Sequence, residues 1–254
     1  MKERIYHLSL ETAHGARYAI LPGDPGRVER IASLLQNPKK EAQNREFTTF
    51  SGTLCGQPVL VTSTGIGGPS AAIAIEELTV LGLDTFIRVG TCGGMQTQVC
   101  GGDLVIATGA VRMEGTSKEY VPQEYPAVPD FAVTAALAEA ARRLRLPHHI
   151  GVVQSKDSFY GQHEPGRMPV GPELEYKWKA WVRAGVLASE MECAALFCVA
   201  ATLRVRVGAV LACVWNQERA AAGLPNPDAP DTGSAIETAV EAIKTLIEQD
   251  KGTK

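Results

Sequence analysis

No window of this chain approaches the run of about 18 apolar residues that a membrane-spanning helix needs. The opening stretch, MKERIYHLSLETAHGARY, starts charged and lacks the continuous apolar segment of a secretory signal. A cytoplasmic protein is expected. Cysteine pairing is also missing: Cys55, Cys92, Cys100, Cys193, Cys198 and Cys213 are scattered, with no CxxC pair and no histidine at ligand spacing. That argues against structural zinc, and the six read as reduced thiols, mostly filling the core. Charge of one sign is not in excess: 25 basic against 28 acidic residues leave a net charge of −3. Without a broad basic field, nucleic acid and anionic membranes are not expected partners. There is no GxxxxGK[ST], no GxGxxG opening a helix after the first strand, and no internal repeat, heptad run or low-complexity tract. Nucleoside triphosphate and dinucleotide sites therefore drop out.

What remains is a chain of 254 residues, 45% hydrophobic, able to bury a full core. Short apolar or β-branched runs recur at 18–23, 58–65, 85–90, 102–112, 149–155 and 208–215, each read as a buried strand. Helical patterns lie between several of them. PSAAIAIEELTVLG begins with Pro69 and Ser70 and stops at Gly82; FAVTAALAEAARRLRL carries arginines in its last turns; EMECAALFCVAATL is apolar on nearly every face. The final SAIETAVEAIKTLIEQ sets Ile236, Val240, Ile243 and Ile247 on one stripe, as a helix covering a sheet does. Alternating strands and helices imply an α/β fold in one domain, 1–254, with a mostly parallel or mixed sheet between helices. Segments 113–130, 160–173 and 216–233, rich in Gly and Pro, read as site-forming loops.

Chemistry concentrates where glycine turns follow strands, since such turns let backbone N–H groups approach an anion. LPGDPGRVER offers Gly23 and Arg27; TSTGIGGPS offers Thr64, Gly65, Gly67, Gly68 and Ser70; TFIRVGTCGG offers Arg88, Thr91 and the Gly93–Gly94 pair. Arg88 interrupts an apolar strand, and a buried guanidinium needs a counter-charge or a cleft to face. Two such turns with a nearby arginine, plus a Ser/Thr-rich third, favour a phosphate pocket. In REFTTF, Arg45 beside Glu46 reads from spacing alone as a solvated ion pair on a strand. In SEMECAA, Glu190 and Glu192 head an apolar helix, either capping it or accepting hydrogen bonds from sugar hydroxyls.

Taken together and in order, PGDPGRVE, REFTTF, STGIGGPS, RVGTCGG, DSFYGQ and SEMECAAL resemble the bacterial-type uridine phosphorylases of the nucleoside phosphorylase family, from about residue 5 to about residue 248. The resemblance implies a three-layer α/β/α sandwich around a mixed, barrel-like sheet, assembled as a homohexamer, a trimer of dimers with active sites shared across the dimer. It implies reversible phosphorolysis of uridine, with deoxyuridine or thymidine as further substrates, no required cofactor, and inorganic phosphate as co-substrate. Carried over by position, Gly23, Arg27, Arg88 and Thr91 would hold phosphate, joined by Arg45 of a neighbouring subunit. Glu190, Met191 and Glu192 would hold the ribose, with His7 reaching across the dimer to the 5′-hydroxyl. Phe159 and Gln162 would line the base. Glu46, Ile66 and Ser70 match a dimer-interface site that binds potassium in some members. The residue types suit the reaction: departure of the base builds positive charge on the sugar, and an anion held beneath the ring stabilises it.

Two departures concern the base. The family's Gln-x-Arg pair is missing, Arg167 standing five residues after Gln162 with His163 and Glu164 between them, and VWNQER places Gln217 where an arginine commonly follows the asparagine. His163, Arg167, Gln217 or Arg219 would then take over base recognition, with a specificity broader than uridine. A purine nucleoside phosphorylase of the same fold is the nearest alternative. The hexameric ones carry an aspartic acid after the last core strand, where this chain has Asn216, which cannot act as an acid and so favours pyrimidines. A hydrolytic nucleosidase would have little use for three arginines converging on a free anion. A non-catalytic nucleoside or phosphate sensor on the same scaffold is the reading from another class.

Overall fold

The computed structural model describes residues 5–252. In chain order they form β1 (Tyr18–Pro22), a 3-10 turn at Pro25–Arg27, α1 (Val28–Ala32), β2 (Gln36–Asn44), β3 (Phe47–Leu54), β4 (Gln57–Thr62) and α2 (Gly68–Val80). Then follow β5 (Thr85–Gly94), β6 (Leu104–Met113), α3 (Phe131–Arg143), β7 (His148–Lys156), α4 (Phe159–His163) and α5 (Gly171–Arg183). The chain continues with β8 (Ala188–Glu190), α6 (Cys193–Leu203), β9 (Arg206–Asn216), α7 (Gln217–Ala221) and α8 (Gly233–Gly252).

The apolar runs become strands because alternate residues meet a core on each face of the sheet. In β1, Ala19 and Leu21 enter one core while Tyr18 and Ile20 enter the other. In β9, Ala209 and Leu211 face the first core and Val210 and Ala212 the second. Helices α2 and α6 complete the first core through Ala71, Ile75, Leu78, Leu196 and Val199. Helices α3 and α8 complete the second, with Leu137, Ile236, Val240, Ile243 and Ile247 buried as the stripe on the last helix requires. The result is three layers, helix on sheet on helix.

The strands run in the order β2-β3-β4-β1-β5-β8-β7-β6-β9, and β9 pairs again with β5. Strands β5, β8, β7, β6 and β9 therefore close a ring, with β2, β3, β4 and β1 extending from it. Pairing is mixed: β1 is parallel to β4 and β5, and β5 to β9, while β5 with β8 and β6 with β9 are antiparallel. The mixed, barrel-like sheet is the one expected.

Three elements differ from the sequence reading. Strand β2 is polar and mostly exposed, an edge strand paired only with β3 in the sheet order; it carries Pro38, which an edge accommodates. Segment 160–173 is not a continuous loop: Ser158 caps α4 by accepting from the Gly161 N–H at 2.9 Å, and α5 starts at Gly171. Glu190 does not head the helix but ends strand β8, with α6 beginning at Cys193. Among the described residues no helix is long and apolar enough to cross a membrane.

Candidate active site

The ends of β1, β5 and β8 and the turn after β4 surround a cavity of about 560 Å³, lined by Gly23, Arg27, Arg88, Thr91, Met191, Glu192, Phe159, Gln162 and His163 among others. Residues from six sequence segments thus share one chamber, as ligands in open α/β sheets do at strand ends.

Arg88 forms its floor. It lies on β5 and is only 4% exposed. Its Nη2 donates to Glu192 Oε2, and its Nε lies 3.5 Å from Glu190 Oε2. Burial pulls the guanidinium's proton affinity down, but the two carboxylates outweigh it and leave Arg88 above its ordinary range. Gly90 makes the room: a Cβ there would stand 2.7 Å from Leu211 Cδ2 and 3.0 Å from Arg88 Nη2. Even so, among the described residues Arg88 Nη1 finds no acceptor, and neither does the buried Nη1 of Arg27. Arg27 reaches its nearest carboxylate, Asp24, at 3.8 Å, and burial lowers its proton affinity. Buried donors left without acceptors are costly, so the pocket is shaped for an anion that supplies them.

The two glutamates divide their work. Glu190 accepts from Ser155 Oγ, from the N–H of Glu192 at 2.8 Å and from that of Cys193 at 3.0 Å, so it closes the start of α6. Glu192 accepts from Arg88 and, at 2.6 Å, from the N–H of Gly67. Gly67 holds a φ of +91° that side-chain-bearing residues rarely adopt. Burial pushes the Glu192 carboxyl up, Arg88 pulls it back, and Glu190 adds to the push.

At the other end of the chamber stands Lys156, which the sequence reading passed over. Its Nζ donates to Ser189 Oγ at 2.8 Å, and Ser189 Oγ donates onward to Gln162 Oε1 at 2.6 Å. Burial pushes this lysine down to about 8, against the pull of Glu190 and Glu192. The ammonium sits 6.0 Å from the Phe159 ring centroid, and the His163 ring lies 4.4 Å from the same ring. Burial, helped by Lys156, lowers the His163 proton affinity. The available signal was the one noticed at Arg88, a cation closing an apolar strand, here at the end of HIGVVQSK.

Several expected residues lie elsewhere in this chain. Arg45 is exposed in the β2–β3 turn at a φ of 53°. His7 is tied to Glu77, Nδ1 to Oε1 at 2.6 Å, while Glu77 also accepts the His7 and Leu8 N–H groups. Neither lines the cavity of its own chain. Arg167, expected at the base, pairs with Glu164 at 2.8 Å and stacks 5.6 Å over Tyr160 on the surface. Gln217 lines a neighbouring cavity of about 490 Å³, which shares Lys156 and Gln162 with the first. Arg219 is committed to Thr97 O and Pro225 O. Asn216 donates to Gln96 O and Val99 O and caps α7, so its side chain serves the fold and not the chamber. Ser70 Oγ donates to Glu46 Oε1 at 2.7 Å, close beside Gly65, whereas the Ile66 side chain is 79% exposed.

Residues 17–249 match the model of a family described as the phosphorylase superfamily. The chain is 58% identical over 245 residues to a uridine phosphorylase of Treponema pallidum (strain Nichols), covering 96% of this chain and 95% of that one. It is 41% identical to a uridine phosphorylase of Escherichia coli (strain K12), covering 97% of this chain and 99% of the relative. A guanosine phosphorylase of Halorubrum lacusprofundi is 44% identical over 204 residues, 80% of each chain.

Proposed function

The chain belongs to the phosphorylase superfamily, and from that premise we propose that it is a pentosyltransferase cleaving uridine with inorganic phosphate to uracil and ribose 1-phosphate. The observation that carries this reading is the pair of buried, acceptor-less guanidinium N–H groups, on Arg27 and Arg88, in the same chamber as Glu192 and Phe159.

Phosphate sits against Gly23, Arg27, Arg88 and Thr91. Glu192, held by Arg88 and the Gly67 N–H, accepts hydrogen bonds from the ribose hydroxyls beside Met191. This fixes the sugar above the phosphate at high effective concentration. A phosphate oxygen bonds to the anomeric carbon as the bond from that carbon to the base nitrogen breaks. The electron pair leaves with uracil, and positive charge on the ring is offset by the anion beneath it. Phe159, Gln162 and His163 hold the base. Lys156, through Ser189 and Gln162 or directly, places a cation where the departing base becomes negative. No side-chain nucleophile is required.

Charge supports a shared site. Arg27, Arg88 and Lys156 are matched among the lining residues by Asp24, Glu190 and Glu192, which leaves no net positive charge for a phosphate dianion. A further cation from a second copy, Arg45 by position, would supply one, with His7 reaching the 5′-hydroxyl from the same direction. The assembly is a homohexamer built from such dimers, working in the cytoplasm. No cofactor is needed for the chemistry. The Glu46 carboxylate and Ser70 hydroxyl are hard oxygen donors suited to potassium, but one chain offers too few, so the ion would sit between two copies beside Ile66.

A purine substrate has one observation in its favour: the neighbouring cavity is lined by Gln154 and Gln217, whose Oε1 atoms are buried without a donor among the described residues. The deciding experiment supplies uridine, deoxyuridine, thymidine, inosine, guanosine and adenosine with and without phosphate. Phosphate-dependent release of uracil is expected. Release independent of phosphate would make the protein a nucleosidase, and binding without turnover would make it a sensor.

A further inference from the structure

Six free cysteines are described, and two of them stand side by side, one at the wall of the active-site chamber and one behind it. Cys92 on β5 is in register with Cys213 on β9, and the two strands run parallel. Registered residues on adjacent parallel strands point to the same side of the sheet. Their Cα atoms are then about 4.8 Å apart, inside the roughly 4.4–6.8 Å over which a disulfide can form. Cys92 lines the chamber, while Cys213 is buried behind it. The register slips immediately afterwards, Gly93 pairing with Trp215, which gives this stretch of backbone room to adjust.

We propose that Cys92 and Cys213 are a hydroperoxide-responsive thiol pair, whose sulfurs join in a disulfide across β5 and β9 that switches the active site off. The sulfur that meets the peroxide attacks its terminal oxygen as a thiolate, breaking the O–O bond and becoming a sulfenic acid. The second sulfur displaces that hydroxyl as water, closing the S–S bond. Two thiols and one hydrogen peroxide give one disulfide and two waters, with two electrons passing from sulfur to peroxide oxygen.

The surroundings suit this chemistry. The Cys92 thiol and the Gly94 N–H both reach the Cys213 sulfur and bring its proton affinity below the ordinary thiol range. The same contact, with burial, pushes the Cys92 thiol well above its ordinary range, so Cys213 supplies the thiolate of the pair and Cys92 the thiol. A cross-link between neighbouring strands is strained and therefore readily reduced, as a reversible switch must be. Cys92 follows Thr91 directly, so the adjustment of backbone that brings the two sulfurs into disulfide geometry displaces a residue assigned to phosphate. Misplacement of about 1 Å suffices for a loss of about a hundredfold.

The loss of turnover rests on the phosphorolysis proposed above; the cross-link does not. Fully reduced protein is treated with hydrogen peroxide, capped with N-ethylmaleimide and digested without reductant. A peptide joining Cys92 to Cys213 is expected, together with an approximately hundredfold loss of phosphorolysis that dithiothreitol reverses. Saturating uridine analogue plus phosphate should slow its formation by covering Cys92. In Cys213→Ala, and in Cys213→Ser as a second variant, basal turnover persists and the reversible loss disappears. Absence of the linked peptide overturns the proposal whatever the activity does. Equal, reversible inactivation of both Cys213 variants overturns it as well.

Discussion

Arg88 and Glu192, 104 residues apart in sequence, form an ion pair in which each side chain is only 5% exposed. Two charges removed from water together are tolerable, whereas one left alone is not. The pair therefore ties stability to the site: the carboxylate that would hold the ribose also holds the guanidinium that would hold the phosphate.

Replacing Arg88 by Ala leaves Glu190 and Glu192 buried without their cation. Stability should fall by about 3–5 kcal/mol, and phosphorolysis by about a hundred- to a thousandfold. The double variant Arg88→Met with Glu192→Gln removes both charges. It should regain much of the stability and none of the turnover, as read by thermal unfolding and uracil release. Unchanged activity in Arg88→Ala would refute the role given to this residue.

Lys156 should make activity and stability move in opposite directions with pH. Its proton affinity is lowered from 10.5 to about 8 in the fold. Between those values the unfolded chain keeps a proton that the folded one has lost, so stability rises with pH across that window. The gain is on the order of 3 kcal/mol, since each unit is worth about 1.4 kcal/mol. Turnover that needs the ammonium should instead decline as pH passes about 8. In Lys156→Met both slopes should flatten, in pH-dependent denaturation and in the kcat/KM profile respectively. A wild-type profile level from neutral pH to pH 9.5 would remove Lys156 from the mechanism.

Gly90 is required for space, not for conformation. Gly90→Ala places a carbon against Leu211 and the Arg88 guanidinium. Overpacking of this kind costs about 1–3 kcal/mol and should displace Arg88. Gly166→Ala, where a Cβ would meet nothing within 4 Å, should change stability by no more than about 0.5 kcal/mol. Melting temperatures of the two variants, measured together, decide the point.

Phosphate should stabilise the protein before any nucleoside is added, because it supplies acceptors to Arg27 Nη1 and Arg88 Nη1. At about 100 times its dissociation constant the stabilisation is about 2.7 kcal/mol. Arg27→Ala should fold normally and lose most of that response. A melting curve that rises equally with phosphate in both proteins would place the anion elsewhere.

Much of the architecture was readable in the residues themselves. The alternation Tyr18, Ala19, Ile20, Leu21 demands a strand with apolar surroundings on both sides, and the stripe Ile236, Val240, Ile243, Ile247 demands a helix lying on a sheet. Cations interrupting or ending apolar strands marked a candidate site at Arg88 and offered the same clue at Lys156, and both line one cavity. Strand β2 was illegible because its residues, seven of nine charged or amide-bearing, satisfy an exposed edge without any apolar period.

Local sequence, acting over one or two turns of backbone, was enough to determine strands, helices, glycine turns and the residue types of an anion pocket. Tertiary structure alone decided which of these groups meet. Closure of β9 onto β5 set Cys213 beside Cys92, the start of α6 drew Glu190 into capping and left Glu192 to Arg88, and Arg167 was left on the surface with Glu164. The reason is physical: periodicity and propensity report a residue's immediate neighbours, whereas the pairing of charges in a core depends on strand order and on the burial that makes an unpaired charge intolerable.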